Sequence, residues 1–543
     1  MAKLEKRIQF FVVMLLALFL IGCGSGDSDP QLAEAGLSNE NEAQSDDTDA
    51  AALSWQLGDY SLSSDDFSNL CEEPRLGLDP YNSYRSYPDK SGSALHEKMY
   101  LRAFSNENYL WYDEIPDEDP NLFSSVISYF NNLKSFEKTD GGRYKDRFHF
   151  SVSYDDYMKA VQSGMEPGFG IHWMFYNNYV PRDLRVVYTD SGSQAEVHGV
   201  ARGDRVIEID GIDLVNTNSS QEIAYLNQAL TSPTNGKTYY LTLQTNNGAE
   251  RVVALTAGDV PRSYIKTAKV IRHNGKGVGY LQLNAFSALA QESLIDAFNY
   301  FRNQNIEEIV LDLRYNSGGL ILQAAQLGHM LTGAGENRVF SRLVYNDKRM
   351  REEGGTIYPF LSYSYNWQTN QFQNEMLPSI NVSRVYVLST HNTASASEEL
   401  INALRGIDVE VVLIGAETTG KPYGFTPVHN CGTFYYTIEF QAENEKGFGD
   451  YADGLIPTDR SLVSSTLGVD NKVEGCRVND DLSHPLGDES EGMLAAALEY
   501  MVSSTCPSYT ASTAAQSQPA KEGIPMHNWS PPLTGEAIHV HFE

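Results

Sequence analysis

The stretch RVYVLSTHNTASASEELINALRGIDVEVVLIG, residues 384–415, decides the fold class. It opens with an apolar, β-branched run that predicts a buried strand, and a polar turn follows. Leu400, Ile401 and Leu404 then recur at helical spacing, and residues 409–415 form a second apolar run. Strand, helix and strand in this order are typical of a mostly parallel sheet covered by helices, so we expect an α/β fold.

The same alternation extends over residues 262–505, which we predict to be one α/β domain. The strand-like segments GVGYLQL and EEIVLDLR alternate there with the helix-like segments AQESLIDAFNYFRNQ and LILQAAQLGHML. A Tyr-, Asn- and Gln-rich stretch at residues 344–380 interrupts the pattern. It either lines a cleft or covers the sheet.

Residues 1–23 have the pattern of an export signal. Lysine and arginine precede an apolar run too short to span a bilayer comfortably, and this run ends in Leu-Ile-Gly-Cys. The ending resembles the bacterial lipobox, in which cleavage leaves Cys23 as a lipidated first residue; a signal anchor that contains a cysteine is the alternative. Residues 24–60 are predicted to be a disordered acidic tether, and residues 506–543 a flexible tail.

Charge and export together limit the partners. The 543 residues include 40 basic and 71 acidic side chains, a net charge of −31, which disfavours sequence-independent binding to nucleic acid or anionic headgroups. We therefore expect contact with a membrane through the lipid anchor alone. The expected location is the periplasmic face of a bacterial envelope membrane, with the outer membrane as first candidate.

Four further cysteines, Cys71, Cys431, Cys476 and Cys506, are too far apart for the paired spacing of a zinc site. In an oxidising compartment they could form two disulfides, with three possible connectivities. Free buried thiols are the alternative. No metal or cofactor is expected.

Residues 61–160 are predicted to be a helical N-terminal domain, mainly because residues 95–116 carry apolar and aromatic residues at three- and four-residue spacing. Its aromatic stripe of Tyr100, Phe104, Tyr109 and Trp111 is typical of a core rather than of a ligand site.

Residues 161–258 contain short β-runs broken by Gly and Asp turns, with one helical pattern at residues 219–230. The phrase SGSQAEVHGVARGDRVIEIDGIDL resembles a PDZ domain of the bacterial protease type. The resemblance implies that the loop of Gly168, Phe169, Gly170 and Ile171 presents N–H groups to a peptide's terminal carboxylate, while the adjoining strand takes up the peptide. Alone, such a loop is more often an ordinary turn.

Ser395 lies at the predicted start of the helix in the opening stretch. Ser395-Ala-Ser-Glu is a capping-box pattern, so an ordinary helix cap is one interpretation. A helix start also stabilises developing negative charge, which favours a nucleophile. A strand running into Gly318 and Gly319 offers backbone N–H groups that could bind an oxyanion, although it could be a plain turn.

Residues 415–421, GAETTGK, fit the phosphate-loop pattern G-x-x-x-x-G-K. Pro422 follows, where a nucleotide-binding loop needs the Ser or Thr hydroxyl that holds Mg²⁺. Lys421 is therefore either a phosphate ligand or something else, and a nucleotide would be unexpected in an exported protein.

The motifs LDLRYNSGG, TASASEEL and GAETTGKPYG, in this order after a PDZ-like segment, resemble the carboxyl-terminal processing (tail-specific) proteases over roughly residues 95–460. The resemblance implies a crotonase/ClpP-like α/β core with an inserted PDZ domain. It implies Ser395 as nucleophile, Lys421 as general base, and an oxyanion hole of Gly318, Gly319 and the Ala396 N–H. Expected substrates are proteins or peptides with free C-termini.

Phe425 departs from this family, which usually has Gln four residues after the lysine. Thr419 or Glu417 could orient the base instead, and His391 is the first alternative base. The departure also leaves open a weak or inactive relative that binds peptides. A cell-envelope scaffold is a third function, under which the motifs would be coincidental.

Overall fold

The computed structural model describes residues 53–82, 84–352 and 354–507. The predicted export signal, the lipidation site Cys23 and most of the acidic tether lie outside the described residues, as does the tail from residue 508. None of the described helices is long and apolar enough to cross a bilayer.

The predicted tether ends earlier than residue 60. Trp55 packs against the N-terminal hydrophobic cluster, and the Gly58 N–H donates to the Asp117 carboxylate at 2.7 Å. The same carboxylate accepts two hydrogen bonds from Arg102 at 2.6 Å. Residues 53–60 are thus packed on the folded unit that follows, because a short apolar segment and a buried ion pair fix them there.

Residues 53–163, here the N-terminal unit, are less helical than predicted. Ser93 caps helix α1, which ends at Asn108, so residues 109–116 of the predicted helix are not α-helical. The elements are β1 (Leu70–Cys71), β2 (Lys90–Ser91), α1 (Ala94–Asn108), α2 (Val126–Phe130), β3 (Phe150–Ser153) and α3 (Tyr154–Ser163), with short 3₁₀ turns at Ser64–Phe67, Tyr112–Glu114 and Pro120–Leu122. Tyr100 and Tyr109 are buried, as the stripe predicts.

Residues 165–261, here the β-module, form a small antiparallel sheet with one short and one longer helix. Its elements are β4 (Met165–Gly168), β5 (Ile171–Asn177), β6 (Asp183–Thr189), α4 (Gln194–Val197), β7 (Arg205–Ile209), β8 (Ile212–Asp213), α5 (Ser220–Thr231), β9 (Thr238–Gln244), β10 (Glu250–Thr256) and β11 (Gly258–Pro261). The strand order is β10-β9-β7-β6-β5, so β5 is an edge strand. β4 pairs with β11 at the place where the chain enters and leaves the module.

Residues 262–507, here the core, have the predicted α/β architecture. The strands are β12 (Ile265–His273), β13 (Lys276–Leu283), β14 (Glu308–Asp312), β15 (Val339–Tyr345), β16 (Thr356–Pro359), β17 (Tyr363–Asn366), β18 (Gln371–Met376), β19 (Arg384–Ser389), β20 (Glu410–Gly415), β21 (Tyr423–Gly424), β22 (Val428–Asn430), β23 (Thr433–Tyr436), β24 (Phe440–Glu443), β25 (Ile456–Thr458) and β26 (Lys472–Arg477). The helices are α6 (Gln291–Asn303), α7 (Ile321–Thr332), α8 (Asp347–Glu352), α9 (Ala396–Gly406) and α10 (Gly492–Ser503), with 3₁₀ turns at Ala288–Ala290 and Arg460–Leu462.

The main sheet has the order β12-β13-β14-β19-β20-β26-β25, and from β13 onward neighbouring strands are parallel. Strand β19 shows why both faces of this sheet are apolar. Val385 and Val387 pack with α6, α7 and α9, whereas Tyr386 and Leu388 pack with α10. A strand buried on both faces reads as a continuous apolar run, which is the pattern that the sequence shows.

The stretch at residues 344–380 covers helices rather than the sheet itself. It contains α8 and β16, and its hairpin β17–β18 accepts hydrogen bonds from Gln291 of α6 and Gln326 of α7 through the carbonyls of Tyr365 and Tyr363, at 3.0 and 2.9 Å.

Two disulfides join distant segments. Cys71 bonds to Cys431 and Cys476 bonds to Cys506, so the free-thiol alternative is wrong. The first links β1 to the turn between β22 and β23. The second attaches Cys506 to β26, so the predicted flexible tail does not begin at residue 506.

Candidate active site

Three neighbouring parallel strands bring the candidate residues to one edge of the sheet. β14, β19 and β20 lie side by side, and their carboxyl ends lead into the Gly-Gly turn, the Ser395 loop and the Lys421 loop. Ligands of open α/β sheets bind outside the carboxyl ends of the strands. The order of the strands therefore explains why three motifs far apart in sequence converge.

Ser395 does not have the backbone of an ordinary helix cap. Ser93, Ser153 and Ser219 cap their helices from extended conformations, and each accepts a backbone N–H. Ser395 precedes α9 with φ +53° and ψ −121°, a sparsely populated region for a residue with a side chain. Its side chain is therefore aimed by a sharp turn between strand and helix, a geometry that resembles the turn that exposes the nucleophile in α/β-hydrolases.

The Gly-Gly turn lies directly against this serine. A Cβ atom added to Gly318 would lie 2.7 Å from the Ser395 Cβ and 3.0 Å from the Ala396 nitrogen. Gly318 and Gly319 have φ values of +119° and +129°, which side-chain-bearing residues rarely adopt. Glycine is thus required here both for conformation and for close approach.

Two N–H groups beside this turn are candidates for the oxyanion hole that the sequence predicts. The Gly318 N–H donates to the Asn316 side chain at 2.9 Å, and the Gly318 carbonyl accepts from Phe286. A trans peptide directs its N–H opposite to its carbonyl, so the Gly319 N–H points away from Phe286. Within the described residues, neither the Gly319 nor the Ala396 N–H donates to a protein acceptor.

Glu398 links Ser395 to the loop that carries Lys421. One carboxylate oxygen accepts the N–H groups of Ser395 at 3.0 Å and Lys421 at 2.8 Å, so these two nitrogens lie within 5.8 Å of each other. The other oxygen accepts the Gly420 N–H at 2.7 Å and the Thr418 hydroxyl. Burial raises the pKa of the Glu398 carboxyl, and these four hydrogen bonds oppose that shift.

The same contacts exclude the phosphate-loop interpretation of residues 415–421. The Gly420 and Lys421 N–H groups, which would face a phosphate, donate to the Glu398 carboxylate instead. The chain supplies its own anion to this loop.

The side-chain nitrogen of Lys421 faces two aromatic rings. Its Nζ lies 4.2 Å from the ring centre of Phe425 and 5.3 Å from that of Phe148. The polar groups considered as partners from the sequence have other contacts. Glu417 pairs with Arg477 at 2.9 Å, and the Thr419 hydroxyl donates to the His391 carbonyl at 2.5 Å.

The N-terminal unit holds the Lys421 loop from outside. Arg147 donates to the carbonyls of Thr419, Gly420 and Ala452 at 2.7, 3.0 and 3.2 Å. Burial and the neighbouring Arg143 lower the pKa of Arg147. A guanidinium donates to several carbonyls in one plane, so this side chain can fix the loop without itself reacting.

Sequence reasoning missed three of these residues. Glu398 was visible only as part of a capping box, and its second role depends on a loop twenty residues away. Arg147 and Phe148 carry no motif, and their roles follow from where the N-terminal unit packs. By contrast, Ser395 and the Gly318–Gly319 turn were predicted, and the structure brings them together.

Two segments of the chain match models of known peptidase domains. Residues 277–439 match the model of peptidase family S41, and residues 104–152 match the model of the peptidase S41 N-terminal domain. The Carboxyl-terminal-processing protease of Picosynechococcus sp. is 29% identical over 239 residues, which are 44% of this chain and 50% of that protein. The chloroplastic Carboxyl-terminal-processing peptidase 3 of Arabidopsis thaliana is 27% identical over 55% of this chain and 53% of that protein.

The chain thus spans about half the length of these two relatives. A solved structure from Bacteroides fragilis, assigned to the S41 proteases, covers 78% of this chain and 99% of its own, with 25% identity and a TM-score of 0.54. The matched segments include the loops of Ser395 and Lys421 as well as Arg147 and Phe148. Residues 277–439 are therefore similar to the peptidase domain of family S41, a family of serine peptidases that use a serine and a lysine as the catalytic dyad.

Proposed function

We propose that this protein is an endopeptidase in which Ser395 attacks a peptide carbonyl and Lys421 takes the serine's proton. The observation that carries the proposal is Ser395 itself. Its left-handed backbone places it against the Gly-Gly turn, and Glu398 ties it to the base loop.

The reaction follows the usual two steps of acyl transfer. Lys421, as a neutral amine, accepts the hydroxyl proton while Oγ bonds to the carbonyl carbon, and the Gly319 and Ala396 N–H groups stabilise the oxyanion. The resulting ammonium returns the proton to the leaving amine, which leaves an ester on Ser395. Water, deprotonated by the same amine, then hydrolyses that ester and frees the serine.

The fixed donors are suited to this role because they need no rearrangement. Ala396 is the first residue of α9, where the helix dipole favours negative charge. Loss of one oxyanion donor typically lowers turnover about 10²- to 10³-fold. The turn and the helix start thus contribute to catalysis beyond the dyad.

We further propose that the β-module acts as a PDZ domain and selects substrates by their free C-termini. Its edge strand β5 leaves one side open for an added peptide strand. Within the described part of the chain, the Phe169 and Gly170 N–H groups donate to no protein acceptor, so they are available to a carboxylate. Ile171 of β5 and Ile223 of α5 share one apolar cluster beside them, which suits an apolar terminal residue.

The dyad is tested with a fluorophosphonate probe and a peptide assay at neutral and alkaline pH. The parent chain should be labelled, and Ser395→Ala should not. Lys421→Arg should fail as completely as Lys421→Ala, because a guanidinium stays protonated and cannot accept a proton. Hydrolysis by folded Lys421→Arg would show that another base acts, with His391 the first to test.

Tail selection is tested by comparing free-acid and amidated forms of the same peptide in binding and cleavage. We expect the amidated form to bind more weakly. Hydrolysis of a short ester that has no C-terminal tail is the control, because it should not depend on the β-module. Equal binding of both forms would contradict the PDZ role.

One observation favours a second function, that of a peptide-binding relative with weak or no activity. Phe425 gives the base no hydrogen-bond acceptor at the position where the family usually has glutamine. A parent chain that binds peptides but reacts with no probe would support it, and Phe425→Gln is then the variant expected to gain activity.

We also propose the cell envelope as the site of action, with Cys23 lipidated and the chain facing the periplasm. The two disulfides fit an oxidising compartment. Cys23→Ser should release the protein from the membrane fraction, because the lipid would be its strong anchor. Continued membrane association would contradict the lipoprotein proposal.

A further inference from the structure

The N-terminal unit contributes a side chain to the base. Phe148 belongs to the segment that precedes β3, yet its ring centre lies 5.3 Å from the Lys421 Nζ. Phe425, 1% exposed, approaches the same atom to 4.2 Å from within the core. Both distances fall within the range of about 6 Å over which an aromatic ring attracts a cation.

Both rings are held in place by their surroundings. Phe425 packs edge-on against Phe150 and Tyr436, with ring centres 6.0 and 5.2 Å away. Phe148 follows Arg147, whose guanidinium is fixed by three carbonyls of the base loop and its neighbour. The aromatic pair therefore moves little relative to Lys421.

We propose that Phe148 and Phe425 are positioning residues for the general base, and that the N-terminal unit thereby completes the active site. This inference rests on the proposed peptidase function. The two rings pack against the amine and face the charge that forms on it.

The two effects act at different stages of the reaction. Apolar surroundings favour the neutral amine, which is the form that accepts the proton. Once the amine has taken the proton, the ring faces attract the ammonium. A carboxylate in the same place would stabilise the ammonium far more strongly and would keep the base protonated at rest.

Other charges near Lys421 come from several elements. Glu398 of α9 binds its backbone N–H, and Arg147 lies on the N-terminal side, with its Cζ 4.6 Å from the Phe148 ring centre. Arg143 and Asp453 form an ion pair beside the same loop, and Tyr423 follows two residues later. Variants that test the rings should leave all of these unchanged.

The test replaces each ring by leucine, singly and together. Phe148→Leu and Phe425→Leu keep an apolar side chain but remove the ring face. Phe136→Leu is the matched control, because Phe136 lies in the same unit and faces Lys134 at 6.0 Å, but is half exposed. Phe148→Tyr is the conservative variant that keeps the ring. Each protein is measured for thermal midpoint and for rates of probe labelling and peptide cleavage across pH.

We expect each leucine variant to lower the limiting rate at high pH about 2- to 30-fold, with little change in KM. The ionisation midpoint of the rate profile should move to lower pH, because the ammonium loses its stabilisation. Phe148→Tyr should return both quantities towards the parent, and Phe136→Leu should change neither. A merely structural role would lower the thermal midpoint without moving the ionisation midpoint.

The outcomes separate this inference from the function on which it rests. An active parent whose leucine variants keep the parent's rate and ionisation midpoint would overturn the role of the rings alone. A shift that occurs only in Phe425→Leu would overturn the role of the N-terminal unit. A parent that neither cleaves peptides nor reacts with the probe would overturn the peptidase function, and the base role with it.

Discussion

Replacing Gly318 with alanine is the most direct test of the site's geometry. The added Cβ would lie 2.7 Å from the Ser395 Cβ, 3.0 Å from the Ala394 carbonyl oxygen and 3.0 Å from the Ala396 nitrogen. It would also impose a side chain on a backbone with φ +119°. The change alters neither the nucleophile nor the base, so its effect reports on their placement.

The expected magnitude follows from the overlap. Non-bonded carbon atoms are in optimal contact at about 3.5–4.0 Å, so the two Cβ atoms must separate by about 1 Å. A misplacement of about 1 Å can lower an enzyme's rate about 10²-fold, equivalent to about 2.7 kcal/mol of transition-state stabilisation. Displacing Ala396 would weaken the oxyanion hole as well. We therefore expect turnover to fall 10²-fold or more.

The assay compares probe labelling and peptide turnover in Gly318→Ala and in Gly275→Ala. Gly275 has φ +80° in the β12–β13 turn, and an added Cβ there would contact nothing within 4 Å, so it controls for backbone strain alone. Circular dichroism checks that both variants are folded. If folded Gly318→Ala turned over substrate as fast as Gly275→Ala, the proposed placement of Ser395 against this turn would be wrong.

Three further predictions concern stability, the N-terminal unit and tail binding. Burial raises the pKa of the Glu399 carboxyl to about 7. The unfolded chain therefore loses this proton first as pH rises from about 4.5 to 7, and the free energy of unfolding should fall by about 3 kcal/mol. The free energy of unfolding of Glu399→Gln, measured by denaturation across this pH range, should not show that fall. A fall as large as the parent's would contradict the prediction. Joint replacement of Cys71 and Cys431 by serine frees β1 from the β22–β23 hairpin, which pairs with β3. Probe labelling and the thermal midpoint should therefore both decrease. Full labelling would show that the N-terminal unit stays docked without the disulfide. In Gly170→Ala the new Cβ would lie 2.2 Å from the Ser193 Cβ, so free-acid peptides should bind more weakly while ester hydrolysis persists, and unchanged peptide affinity would exclude this loop.

The loops of the candidate site were predictable because each follows a strand that is unmistakable in the sequence. Apolar runs without polar alternation indicate strands buried on both faces, and β14, β19 and β20 have that composition. In a parallel sheet the carboxyl ends of neighbouring strands meet at one edge. What sequence could not give was the strand order, and with it the contact between Gly318 and Ser395.

The N-terminal unit shows where local pattern misleads. Residues 95–116 have helical spacing, but the helix ends at Asn108 because the following aromatic residues pack into the core interface instead. Tyr109 is fully buried and donates to Asp146, and the Leu110 N–H donates to the Ile438 carbonyl of the core. Tertiary contacts of this kind override helix propensity, and no single-sequence pattern encodes them.

The loop at residues 415–421 explains how a phosphate-loop pattern can serve a different chemistry. Glycines let such a loop point consecutive N–H groups at one anion. These N–H groups can bind a phosphate or a carboxylate equally well. Here the anion is Glu398, which belongs to the first turn of the helix that begins after Ser395. The same carboxylate therefore fixes the Lys421 loop relative to Ser395, which a bound nucleotide could not do. The Lys421 side chain extends from this loop towards Phe425 of the core and Phe148 of the N-terminal unit, so the proposed role of these rings can be tested without disturbing the contacts of Glu398.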